Sequence, residues 1–115
     1  MPSEPNRFDK EQFTPYFEQW QQMREEIEVC YDQKDRRAVE LMETAIANYS
    51  ELLELGGTVF DERKGQAIFV LLPLNGEERF EFVIDKIASH YAFVQLDALV
   101  SETKKKVARL SIQRK

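Results

Sequence analysis

The chain has one cysteine and one histidine in 115 residues, and these two scarcities remove most site chemistry at once. A lone cysteine excludes an intramolecular disulfide and suits a reducing compartment, so the cytoplasm is the expected location. With one histidine and one cysteine, a zinc site would have to be built largely from carboxylates, which is not the usual ligand set. His90 has no evident orienting partner of the kind a general base requires, and it reads as structural or solvated. Cys30 falls on an apolar stripe and reads as a core thiol. Glycine is also scarce. Gly56-Gly57, Gly65 and Gly76 are scattered, and none follows a strand and opens a helix as a phosphate-binding loop does. No apolar run approaches the roughly 20 residues of a bilayer span. The opening segment MPSEPNRFDKEQ lacks the basic and apolar regions of a secretory signal. Neither a catalytic residue nor a metal or cofactor site is expected, and the chain does not read as an enzyme.

What is present is enough for a folded core. Apolar residues make up 43% of the chain and aromatics 11%, which argues against disorder despite many charges. The length fits a single domain over residues 1–115. Residues 1–8, with Pro2 and Pro5, read as a flexible lead-in. The net charge of −5 is unevenly spread. Residues 1–57 carry 13 acids and 6 bases, whereas residues 58–115 carry 8 acids and 10 bases. An acidic body disfavours non-specific contact with nucleic acid or anionic lipid. The segment 103–115 reverses that balance, with six bases and no acid.

Two amphipathic helices open the fold. Phe13, Tyr16, Trp20, Met23, Ile27 and Cys30 recur at steps of three and four, flanked by Phe17 and Tyr31. This helix begins either at an Asp9/Gln12 capping pair or at Thr14, with Pro15 in the first helical position. The opposite side, with Glu25, Glu26 and Glu28, reads as a solvated acidic face. After the interruption YDQKD a second helix starts near Asp35. It carries Val39, Met42, Ile46, Tyr49 and Leu53, flanked by Ala38, Ala45 and Leu52, and ends at Gly56-Gly57. Arg36-Arg37 are expected to pair locally with Asp32 and Asp35. Two such helices with a short link make an antiparallel helical hairpin.

The stretch TVFDERKGQAIFVLLPLNGEERFEFVI admits two readings. Thr58-Val59-Phe60 favours a strand, and DERKG is turn-like, with Gly65 suited to positive φ. The segment 67–74 is apolar throughout and is broken by Pro73. Asn75-Gly76 then signals a type I′ hairpin that would pair Leu71 with Phe80 and Phe69 with Phe82 on one face. Alternatively Asn75 caps a helix, with Phe80, Val83, Ile84, Ile87 and Tyr91 at helical spacing. The hairpin is the preferred reading, because Phe80, Phe82 and Ile84 alternate. Beyond Asp85, an expected N-cap, the period is helical. Ile87, Tyr91 and Val94 form one stripe, and Phe93, Leu96, Val100, Thr103, Val107 and Leu110 form another. The offset between them predicts a break near residues 95–98, with Asp97 or Ser101 capping a second piece.

The fold class expected is α+β: an N-terminal antiparallel helical hairpin, a central β-hairpin or three-stranded meander, and one or two C-terminal helices. Apolar residues on both faces of the central strands call for cover. The C-terminal helix or another subunit must supply it. The candidate protein interface is Ile68, Val70, Leu72, Val83, Phe93, Leu96 and Val100, and self-association as a homodimer is the expectation. Lys104, Lys105, Lys106, Arg109, Arg114 and Lys115 are candidate contacts for an anionic partner. The function expected is therefore a small non-enzymatic interaction or regulatory module, with a nucleic-acid-associated regulator as the alternative. A third class, a ligand-binding protein or enzyme, would need polar groups converging near Trp20, Tyr49 or His90.

Overall fold

The computed structural model describes residues 10–112. The order of elements is α1 (Lys10–Asp32), α2 (Arg37–Gly56), β1 (Thr58–Asp61), β2 (Gln66–Phe69), α3 (Gly76–Asp85) and α4 (His90–Ile112). This is an α+β fold with one two-stranded antiparallel sheet. The expected lead-in, residues 1–8, and Asp9 lie outside the described residues, as do Arg114 and Lys115.

Helix α1 buries Phe13, Trp20, Ile27 and Cys30, the centre of the stripe read from the sequence. Pro15 does not open it. The helix is already running at Lys10, whose carbonyl accepts a bond of 2.9 Å from the Thr14 hydroxyl. At the other end the chain closes in a Schellman arrangement. The Lys34 N–H donates to Tyr31 O at 3.0 Å and the Asp35 N–H to Cys30 O at 2.7 Å. Lys34 takes the left-handed conformation at φ 57° that this closure requires. The Asp35 carboxylate then accepts the backbone N–H of Arg37 at 2.9 Å and holds its guanidinium at 2.9 and 3.1 Å. One residue thus ends a helix and starts the next. Helix α2 returns antiparallel and buries Ala38, Met42, Ala45, Tyr49, Leu52 and Leu53. Val39 and Ile46, central in the sequence stripe, sit half-buried at its margin.

The strand pair forms around DERKG rather than Asn75-Gly76. Thr58 pairs with Phe69, Val59 with Ile68, Phe60 with Ala67 and Asp61 with Gln66. Gly65 takes φ 66° in the turn, as expected. The expected hairpin tip is instead a helix start. Asn75 does adopt positive φ, at 55°, but it precedes α3 and its side chain makes no capping bond. Gly76 does not serve by positive φ. A Cβ there would collide with the side chain of Leu72. The two residues that resemble a type I′ turn are therefore selected separately, one for conformation and one for space.

A period of 3.6 in place of 2 exchanges the neighbours Phe82 and Val83. In α3 Val83 is fully buried and Phe82 is 40% exposed, the reverse of the strand pattern. Phe80 keeps an inward position, edge-on to Tyr49 with ring centroids 5.3 Å apart. Helix α4 is unbroken. Ala92, Phe93, Leu96, Leu99, Val100, Thr103 and Val107 form its buried stripe, and Tyr91 and Val94 are exposed. The offset that predicted a break arises because Ile87 lies in the link between α3 and α4. Asp85 ends α3, and the hydroxyl of Ser89 accepts the Tyr91 N–H at 3.1 Å.

The apolar run 70–74 is a packed connector between β2 and α3. Leu71 is fully buried, and side chains satisfy the carbonyls of this strip. Thr103 donates to Leu71 O at 3.1 Å, Lys106 to Leu72 O at 3.3 Å and Arg79 to Leu74 O at 3.1 Å. Tyr49 lies 2.7 Å from the Thr103 hydroxyl. Because Thr103 spends its proton on Leu71, Tyr49 donates to Thr103, and burial raises the Tyr49 phenol to about 12. The irregular backbone is thereby tied to α2 and α4, which is what allows it to be buried at all.

Candidate functional site

The described backbone extends 55 × 32 × 17 Å, a thickness of about two packed helix layers. Such a slab has little interior to spare. The void lined by Trp20 and Tyr49 is only about 10 Å³, room for a single water at most. The indole N–H of Trp20 is committed to Asp97 Oδ1 at 2.9 Å, and Arg24 grips the same carboxylate at 3.2 and 2.9 Å. Asp97 is therefore a cross-link between α1 and α4, not a helix cap. Tyr31 donates to Ile87 O at 2.6 Å. His90 stands apart from Trp20 and Tyr49. It stacks on Phe93 at 5.6 Å, and Glu28 lies 3.9 Å from its Nε2. These two border an open acidic groove of about 650 Å³ with Glu25, Asp32 and Tyr31. Among the described residues, no cluster of three or more histidine, cysteine or acidic side chains is placed to hold a metal ion.

The candidate interface divides. Val83, Phe93, Leu96 and Val100 are 0, 3, 0 and 7% exposed, so the chain covers them itself, largely through the contact of α4 with α1 and α3. Ile68, Val70 and Leu72 remain half-buried. Val70 and Leu72 pack against the core, and Ile68 and Leu72 also line a groove of about 520 Å³. The exposed apolar residues around the hairpin are ones the sequence reading did not select: Val59 at 53%, Phe60 at 62% and Leu74 at 83%. The strand signal in Thr58-Val59-Phe60 was visible. That no helix would cover it was not.

The basic segment also divides. Lys106 and Arg109 line the groove beside Ile68 and Leu72. Lys104 borders a separate hollow with Phe17, Arg24 and Asp97 on the far flank of α4, and Lys105 points to solvent. Among the described residues, the bases form no single stripe along the helix. Arg63 and Lys64, from the hairpin turn, face Lys106 and Arg109 across the groove. No sequence pattern linked them, since some 40 residues intervene.

The site is thus a surface groove on a thin α+β domain, walled by a short hairpin and the end of a long helix. Residues 10–115 match the family described as YpoC-like protein, and the chain belongs to that family. No curated protein and no solved structure matches it. None of the helices among the described residues is long and apolar enough to cross a membrane.

Proposed function

We propose that the protein is a small non-enzymatic interaction module of the cytoplasm that self-associates through its β-hairpin. The observation carrying this reading is the exposure of β1 on both faces: successive residues point to opposite sides of a strand, yet Val59 and Phe60 are both more than half exposed. On the face shared with Phe69, which packs against the core, Phe60 lies a step nearer the tip. The main-chain edge supports the same reading. The Val70 N–H donates to Gly57 O at 3.0 Å, so alternation turns the backbone groups of Thr58 and Phe60 away from β2. A two-stranded hairpin is marginal on its own, and pairing β1 with β1 of a second copy would extend it to four strands. The non-enzymatic part rests on the surroundings of His90 and Cys30, which offer ring contacts and core packing instead of an oriented nucleophile.

Light scattering over a dilution series tests this reading. The expected result is a mass rising from the monomer value of 13.6 kDa toward twice that, with Phe60→Lys held at monomer. A monomer mass at every concentration would overturn self-association.

A further inference from the structure

The groove between the hairpin and the end of α4 is lined by four cationic side chains (Arg63, Lys64, Lys106 and Arg109) and only two carboxylates (Asp61 and Glu77). Its apolar floor is Ile68 and Leu72, with Leu74 at the lip. Lys64 is paired with Glu77 at 2.9 Å. One oxygen of Asp61, Oδ1, accepts the backbone N–H groups of Arg63 and Lys64, at 2.8 and 3.3 Å. Arg63, Lys106 and Arg109 are left with no ion pair to a carboxylate among the described residues. The Lys106 ammonium reaches only a carbonyl, that of Leu72. Burial and the nearby Arg109 both lower its pKa, so an arriving anion would relieve a cost already present.

Three unpaired cations around the apolar floor of Ile68 and Leu72 select a ligand with both acidic and apolar side chains. A nucleic acid fits less well. Among the described residues the groove has no aromatic ring for a base to stack on, and its Ile68 and Leu72 floor offers nothing to a phosphate backbone. We propose that this groove binds an acidic, apolar peptide segment of a partner protein, with an apolar side chain on Ile68 and Leu72 and carboxylates at Arg63, Lys106 and Arg109. The assignment rests on the interaction-module reading and names the partner's chemistry.

The test is selection of a phage-displayed random peptide library on the immobilised full-length protein. Bound clones are then screened against the Arg63→Glu/Arg109→Glu variant and against Lys104→Glu, a change on the far flank. The expected result is enrichment of sequences mixing acidic and apolar residues. Their affinity should fall at least about tenfold in the double variant, stay unchanged in Lys104→Glu, and weaken with salt. Clones without acidic residues, or clones indifferent to the double variant, overturn the groove assignment and leave the interaction-module reading standing. Absence of any enrichment overturns the groove, while the oligomer mass still judges self-association separately. Displacement of the peptides by a single-stranded oligonucleotide that binds more tightly, or by anionic lipid vesicles, would replace the peptide with a phosphate ligand.

Discussion

Leu71 lies directly over Gly56: a Cβ on the glycine would stand 2.5 Å from Leu71 Cδ1 and 2.6 Å from its Cγ. The end of α2 is thus cut away to admit the connector, and Leu71, fully buried, has nowhere to retreat. Alanine in a helix is ordinarily favoured over glycine by about 1 kcal/mol. Overpacking a core costs about 1–3 kcal/mol, and here the rigid site puts the cost at the upper end. Gly56→Ala is expected to lose about 1–2 kcal/mol net in urea denaturation. Gly76→Ala, facing the half-buried Leu72 at the groove, should lose less, because that side chain can swing outward. Equal losses at both sites would contradict this account.

The chain Tyr49, Thr103 and Leu71 predicts an ordering of two isosteric changes. Thr103→Val leaves the buried Leu71 carbonyl and the Tyr49 hydroxyl without their shared partner, a loss of about 1–3 kcal/mol. Tyr49→Phe removes only the outer donor and should cost about 1 kcal/mol. Thermal or urea unfolding of the two variants checks the order. A Tyr49→Phe loss larger than that of Thr103→Val would show the connector to be held by other means.

Lys34, at φ 57°, occupies the position that glycine favours in a Schellman closure. Lys34→Gly should stabilise the protein by about 1 kcal/mol, the left-handed strain outweighing the added freedom of the unfolded chain. The substitution touches no buried contact, so the gain would be read cleanly as a shift in urea midpoint at constant slope.

Acid sensitivity is expected at Glu102. Its two-point bond with Arg79, at 2.9 and 2.7 Å, holds the carboxyl below its ordinary value of 4.5. A carboxyl depressed by folding contributes stability above its unfolded value, and that contribution is lost as pH falls through the depressed folded value. The pair is partly exposed, at 21 and 42%, so solvent screening keeps the effect modest. Urea midpoints measured from neutral to acidic pH should fall less steeply below about pH 4.5 in Glu102→Gln than in the parent.

The sequence by itself determined the elements whose signals are local. The stripes of α1 and α2, the turn at DERKG with Gly65, and the β tendency of Thr58-Val59-Phe60 all follow from spacing and conformational preference within a few residues. Positive φ at Asn75 was legible too. What followed Asn75 was not. Phe80, Phe82 and Val83 satisfy a strand and a helix almost equally, and the choice falls to Leu72 filling the space beside Gly76 and to Val83 closing on α4. The tertiary structure also decided which apolar residues are surface. Phe93, Leu96 and Val100 are buried within the same chain, whereas Phe60 and Leu74 stay 62 and 83% exposed. The groove itself joins Arg63 to Arg109 through the return of α4 across the connector. Burial and charge pairing between distant segments depend on that packing, and no local period records them.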